Sequence, residues 1–464
     1  MNKIQPGTRR IIRTSLALTG ALSIFFGGSV VASPANAAFA TPGSAGSFGI
    51  PAAPEANPAP APANTPTRDQ IAALFAKSPL THAPKTPQRS ANAGTIVTNE
   101  PVQLLLNSQL WNVKASRITY NSTDSLSRPS VDSGIYVEPN VPWTGPGPRP
   151  IVAISPGTQG GAEKCDPSLA LQTGLQITIN PVDAVAPYEA LPLFEHLQRG
   201  AAVVMVDHHR NSDGHQEYVD NITAGQTLLD GAAAAVELSG NPQTPVALYG
   251  YSQGGAGSAA AAERAAVYAP ELNIVAAAAG GVPSNLTEVL DKIDGTSLTG
   301  VLPLSLSAIL DKDPELREAL YAAEMTPKAA VDLDRPHQMC AGGDMAAFGF
   351  HSTREWTKDG ISLGEMIAKY PEFKVELERQ KIGSFKPSMP TLLYNGTHDD
   401  LIPVGQAREL RDQWQALGTN LSYYEDPLAP VLQRTGANHM LTLVGNIKPA
   451  ADFLWQHIRQ ASQG

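Results

Sequence analysis

Gly250-Tyr251-Ser252-Gln253-Gly254-Gly255 packs more chemistry into six residues than any other segment of this 464-residue chain. A serine between glycines at G-x-S-x-G spacing sits after the apolar run Val246 to Gly250. An alanine-rich stretch follows it, to about Tyr268. That context fits a nucleophile held on a sharp strand-to-helix turn. The turn lifts the serine oxygen above the sheet and strains the backbone, so its neighbours must be small; Gly250 and Gly254 provide that room. The helix behind the serine points its positive end at the nucleophile.

A serine nucleophile needs a base, and the base needs an orienting acid. On this kind of turn the chain order is serine, acid, histidine. Asn395-Gly-Thr-His-Asp399-Asp400-Leu-Ile-Pro403 follows an apolar run and precedes a helical one, which puts Asp399 at the C-terminal end of a strand; Asp400 is its rival. Beyond the inserted helical region described below, three histidines remain: His398, His439 and His457. His398 precedes the acid, and His457 lies in an amphipathic terminal helix. That leaves His439, in Gly436-Ala-Asn-His-Met440, the last loop before a final helix from about Leu443 to Arg459.

The oxyanion of acyl transfer needs two preorganised N–H donors. One is the backbone of Gln253. The other belongs to Ser155-Pro-Gly-Thr-Gln-Gly-Gly161, from Thr158 or Gln159. Asp207-His208-His209-Arg210 resembles a metal cluster at first sight. Adjacent histidines on a strand end point in different directions, however, and no second ligand set accompanies them. The reading is substrate-side structure, with no metal and no other cofactor.

The elements that must position these groups alternate. Val113 to Tyr120 and Gly134 to Val137 read as early antiparallel strands. Short apolar runs at Pro150–Ser155, Ala202–Val206, Val246–Gly250, Asn273–Ala279 and Thr391–Tyr394 read as strands. Helical patterns at Leu191–Gln198, Gln226–Leu238, Ser252–Tyr268 and Val404–Leu417 separate them. Strands alternating with helices imply β-α-β units and a doubly wound, mostly parallel sheet. Between Gly281 and Met389 the alternation stops, and the pattern is helical: Leu286–Ile293, Leu304–Leu310, Pro314–Ala323, Leu363–Tyr370 and Phe373–Gln380. The expected division is a core in two parts, 95–281 and 390–464, with a helical cap inserted at 282–389. Leu302, Leu304, Leu306, Ile309 and Leu310 are candidates for an apolar acyl pocket or for ordinary helix packing.

The first residues read as an address. Lys3, Arg9, Arg10 and Arg13 precede an apolar run and Ala35-Asn36-Ala37, the small-residue pattern of signal-peptide cleavage, so residues 1–37 are expected to be removed after Ala37. Residues 38–94 form a Pro/Ala-rich linker and N-terminal extension, with a short helix from Arg68 to Ala76. Removal takes away four basic residues and no acidic ones, so the net charge moves from −10 to −14. That balance excludes a nucleic-acid partner, whose footprint is a basic excess. The two cysteines, Cys165 and Cys340, are either a long-range pair in an oxidising compartment or two buried thiols.

The chain resembles the secretory lipase family, which includes fungal lipase A and actinobacterial exported lipases. The residues that carry this are Gly157-Thr158 with Cys165-Asp-Pro-Ser168, the Ser252 turn, Tyr268-Ala-Pro-Glu-Leu-Asn-Ile-Val275 with Gly280-Gly-Val-Pro283, Asp399 to Pro403, and Ala437-Asn-His439. The resemblance runs from about Val102 to the C-terminus. It implies an α/β-hydrolase with a helical lid and ester hydrolysis without a metal. It also implies Ser252, Asp399 and His439 as a triad and a Cys165–Cys340 bridge between core and lid. Asp166 departs from the alanine usual there, which bears on the acyl pocket. The turn also looks like that of cutinases, which are much smaller and lack such a cap. The expected activity is a secreted ester hydrolase, most simply a triacylglycerol lipase in lipid catabolism, with a lipid or small ester as substrate and transient contact with a lipid–water interface. The rivals are an acyltransferase acting on envelope lipids and a surface binding protein on a dead hydrolase scaffold.

Overall fold

The computed structural model describes residues 65–105 and 112–462. The proposed signal peptide and residues 38–64 of the Pro/Ala-rich linker and extension lie outside the described residues. No helix among the described residues is long and apolar enough to cross a membrane.

Nine strands form one sheet in the order β1-β2-β3-β7-β4-β8-β9-β10-β11. The ranges are β1 Ile96–Val102, β2 Val113–Thr123, β3 Pro129–Pro139, β4 Ile151–Ser155, β7 Ala202–Val206, β8 Val246–Tyr251, β9 Ile274–Gly280, β10 Thr391–Gly396 and β11 Leu421–Asp426. The first three pair antiparallel, and β3 pairs antiparallel with β7. From β7 to β11 every pairing is parallel. A separate hairpin, β5 Gln176–Ile179 and β6 Val182–Val185, stands off the sheet.

Alternation along the central strands explains the double layer. Ile151, Ala153, Val204, Val246 and Leu248 face helices α5 (Asn221–Ser239) and α6 (Gln253–Tyr268), meeting Leu228, Leu229, Ala261 and Ala262. Val152, Ile154, Val203, Met205 and Ala247 face the other way, towards Leu193 and Leu197 of α4 (Ala190–Gln198) and Leu454 and Ile458 of α15 (Ala437–Ala461). Strands covered on both faces carry near-continuous apolar runs, which is why β4, β7 and β8 are fully buried.

The cap comprises α7 Leu286–Ile293, α8 Val301–Leu310, α9 Pro314–Glu324, α10 Pro327–Asp332, α11 Ala341–Phe348, α12 Leu363–Ala368 and α13 Phe373–Arg379. Two short helices before the sheet, α1 Arg68–Phe75 and α2 Pro79–His82, send Ile71, Phe75 and Leu80 into the same apolar cluster as the cap. The remaining helices are α3 Pro167–Thr173 and α14 Val404–Ala416.

Among the contacts that fix the cap to the core are a disulfide and a buried ion cluster. A disulfide joins Cys165 to Cys340 across 175 residues. The buried amine of Lys312 pairs with Asp220 and lies 3.6 Å from Glu217 and 3.9 Å from Glu376. Burial lowers the pKa of this amine, and those three carboxylates reverse the effect and hold it charged.

Several elements differ from the sequence reading. The helix expected from Gln226 begins at Asn221, where the Asp220 carboxylate caps it by accepting the Thr223 N–H at 2.9 Å. The final helix begins at Ala437 rather than about Leu443, so His439 lies in its first turn and not in a preceding loop. β1, the β5–β6 hairpin and β11 carry polar or exposed residues and give no apolar run to read.

Candidate active site

Ser252 follows β8 and caps α6 with φ 61° and ψ −124°. A β-carbon on Gly250 would stand 1.9 Å from the Gly254 carbonyl oxygen, and one on Gly254 would stand 2.0 Å from that of Ser155. Both glycines are therefore steric requirements of the turn. The Ser252 N–H donates to the Gly280 carbonyl at 2.9 Å, which ties the turn to the end of β9.

The structure separates the two neighbouring acids. Asp399 Oδ2 accepts from His439 Nδ1 at 2.7 Å. Its Oδ1 accepts the N–H groups of Leu401 and Ile402, each at 2.9 Å. Asp400 instead accepts the N–H groups of Thr435 and Gly436, at 3.0 and 2.8 Å, and that of His439 at 3.3 Å. Asp400 thus satisfies otherwise orphaned donors at the start of α15, and this explains why the helix begins early. The Tyr251 hydroxyl donates to the His439 carbonyl at 2.8 Å, and its ring lies 4.9 Å from the imidazole. His439 is buried, and its Nε2 makes no hydrogen bond among the described residues. Its Cε1 lies 3.1 Å from where a β-carbon on Gly281 would stand, beside the turn that receives the Ser252 N–H. His398 and His457 are not part of this arrangement: His457 bonds Gln460 on the outer part of α15.

The loop after β4 is held by side chains from four places. Glu189, buried, accepts the Gly157 N–H at 2.6 Å. Burial pushes its carboxyl up to about 7, although that N–H opposes the shift. Tyr188 donates its hydroxyl to the Thr158 carbonyl at 2.9 Å, and the Thr158 hydroxyl meets that of Tyr218 at 2.9 Å. The Gly157 carbonyl accepts from the Gln159 side chain and from His208 Nε2, both at 3.2 Å. In a trans peptide C=O and N–H point opposite ways, so the Thr158 N–H faces away from His208. Thr158 borders the same cavity as Ser252 and Gln253, whereas Gln159 does not. Nothing in the sequence pointed to Tyr188, Glu189 or Tyr218; they are remote in sequence and lack a motif.

Asp207-His208-His209-Arg210 binds in four directions. Asp207 accepts from the Ser133 and Ser168 hydroxyls, each at 2.6 Å. His208 reaches the Gly157 loop. His209 Nδ1 pairs with Asp132 at 2.6 Å; burial lowers its pKa, but Asp132 and Glu217 lift it to about 9. Arg210 holds Asp166 and the Gly161 carbonyl. Asp166 is thus an ion-pair partner beneath the loop, raised to about 7 by burial and by Asp207. A second group, His215, Asp311 and His337, brings donor atoms within 4.8 Å of one another. Its imidazoles stack at 3.9 Å and 13°, so their nitrogens lie in two near-parallel planes, and Arg317 takes the other Asp311 oxygen.

Above Ser252 opens a cavity of about 70 Å³ between core and cap, bordered by Thr158, Ser252 and Gln253 on the core side. Val289, Ile293, Val301, Leu302, Leu306 and Ile309 line it from the cap. Ser305 is the one polar cap residue in the lining, and its hydroxyl is spent on the Val301 carbonyl at 2.6 Å. Of the five leucine and isoleucine candidates, Leu302, Leu306 and Ile309 face the cavity. Leu304 and Leu310 are buried in the cap's own core.

The sequence profile of the secretory lipase family matches residues 176–452. Secreted triacylglycerol lipase LIP4 of Malassezia globosa is 29% identical over 326 residues, covering 68% of this chain and 66% of that protein, just under two thirds of its length. Probable inactive lipase MT1628 of Mycobacterium tuberculosis is 27% identical over 359 residues, covering 74% of this chain and 75% of that one. The crystal structure of Candida antarctica lipase A in its closed state superposes with a TM-score of 0.68 at 21% identity. It covers 80% of this chain and 83% of that one, a likeness of fold. One relative bears the word inactive, so relatedness alone does not carry an activity; the side chains must.

Proposed function

The chain belongs to the secretory lipase family, and from that premise we propose that it is a secreted carboxylic-ester hydrolase working through Ser252, His439 and Asp399. The observation that carries the reading is the His439 ring, bound by Asp399 at 2.7 Å through Nδ1 and free at its buried Nε2. In that tautomer Nδ1 carries the proton and Nε2 is a base. Asp399 fixes the ring and stabilises the imidazolium once Nε2 takes the Ser252 proton.

Ser252 attacks the ester carbonyl, and the resulting oxyanion is held by the N–H groups of Gln253 and Thr158. The Thr158 donor is favoured over Gln159 because its peptide is pinned from the opposite side. His439 then protonates the leaving alcohol, an acyl-enzyme remains on Ser252, and water releases the acid by the same route in reverse. The aliphatic cavity suits the acyl chain: about 0.8 kcal/mol accrues per buried methylene, so long chains gain most. This favours a water-insoluble lipid ester over a short one, in keeping with a triacylglycerol lipase.

The test is hydrolysis of p-nitrophenyl esters of increasing chain length by the mature protein and its Ser252→Ala variant. Activity that rises with chain length and vanishes in the variant is expected. An inactive parent protein across all lengths, or an unimpaired variant, overturns the reading.

A further inference from the structure

His208 is buried next to the nucleophile turn, and the acyl-transfer steps above make no use of it. It occupies a particular place. Its Nε2 lies 3.2 Å from the Gly157 carbonyl, and its Nδ1 lies 3.4 Å from the Gln253 side-chain nitrogen. A carbonyl only accepts, so Nε2 carries the proton; Nδ1 is then an acceptor for the Gln253 amide N–H. One neutral tautomer satisfies both contacts. Burial pushes the imidazole down to about 4, so this neutral form persists at ordinary pH.

One end of this bridge is the peptide that carries one proposed oxyanion donor, and the other is the side chain of the residue whose backbone N–H is the second. Gly157 contributes the carbonyl of the peptide whose N–H belongs to Thr158, and Gln253 is the residue after the nucleophile. The 207–210 segment also fixes His208 from both sides, through Asp207 on Ser133 and Ser168 and through His209 on Asp132. We propose that His208 is a positioning residue that ties the Gly157–Thr158 peptide to the Gln253 side chain, setting the direction of the Thr158 N–H through the Gly157 carbonyl. The proposal rests on the ester-hydrolase reading of the same site.

Donors aimed where charge develops accelerate reaction only if their direction is fixed beforehand. Loosening the peptide should therefore penalise the tetrahedral state and leave ester binding in the aliphatic cavity alone. His208→Phe keeps a flat ring and deletes both contacts; His208→Gln keeps a donor and an acceptor. The expected result for His208→Phe is a kcat lowered roughly 10–100-fold with KM within about twofold, since full removal of one donor costs ~10²–10³. A trifluoromethyl ketone, which forms a tetrahedral adduct on the serine, should lose affinity by a like factor. A non-hydrolysable ether analogue of the ester should bind unchanged. His208→Gln should recover at least threefold of the lost kcat.

Should His208→Phe fail to fold, the comparison passes to His208→Gln and to Gln253→Ala, which cuts the other end and should lower kcat several-fold. Wild-type kcat in His208→Phe, or in Gln253→Ala where His208→Phe does not fold, overturns the brace. So does a loss shared equally between the ketone and the ether analogue, which marks general damage. An inactive wild-type protein overturns the ester-hydrolase reading itself, and the brace falls with it.

Discussion

At the C-terminal edge of the sheet both oxygens of Asp399 have polar partners, as do both nitrogens of His208. Across the cavity the cap presents Leu302, Leu306 and Ile309, whose contacts have no preferred direction. The edge is specified bond by bond, whereas the cap surface is specified by volume and composition. The cap is nevertheless not loosely attached, for it has directional contacts elsewhere, among them Lys312, Cys340 and Gln380. Direction is reserved for the groups that would act on reacting atoms and for the joints, and shape suffices for the chain-binding wall.

That contrast predicts unequal effects. Asp399→Asn leaves the wrong tautomer on His439 and should lower kcat by about 10⁴, whereas Asp400→Asn should cost no more than about tenfold together with about 1 kcal/mol of stability through the helix start. Comparable losses in the two variants, read from steady-state ester hydrolysis, would erase the distinction between ring-binding and helix-capping acid. Lys312→Ala strands buried carboxylates and should destabilise the protein by about 3–5 kcal/mol in urea unfolding; a loss below about 1 kcal/mol would mean that the cap joint lies elsewhere. On the cap wall, Leu306→Trp should cut kcat/KM for long-chain esters about tenfold and leave butyrate esters within twofold, in line with a few methylenes displaced. Equal losses for both would place Leu306 outside the acyl path.

The smallest effect concerns pH. The folded pKa of His209, about 9, exceeds its ordinary 6.5, so its contribution to stability is complete below about 6.5 and is lost as pH rises towards 9. Chemical denaturation from pH 7 to 9 should show a decline in the wild type and a flatter profile in His209→Gln. A parallel decline in both would assign the slope to other groups.

The Ser252 turn was legible because its backbone demands small residues at fixed offsets, and sequence records such demands directly. The central strands were legible because both their faces are buried. His439 was reachable through chain order, but its place in a helix was not, because the cap on that helix is Asp400, 36 residues away from Gly436. Asp207 to Arg210 shows the limit most clearly: four adjacent polar residues gave no sign of which way each would turn, and each binds different side chains or carbonyls. Glu189 had no signal at all, since a lone carboxylate in a helix-bordering loop reads as surface. The edge strands β1 and β11 were silent for the opposite reason, their exposed positions being free of any apolar pattern.

The Cys165–Cys340 bond closes a covalent ring that contains β7, β8, Ser252 and the first four cap helices. A protease that nicks the chain once anywhere between those cysteines therefore releases no fragment: the two pieces stay joined, and the serine stays tethered to the residues that frame it. For a protein read as working outside the cell, a single cut in an exposed loop inside that ring, such as Ser212–Gly214, leaves one molecule, and only reduction would part it.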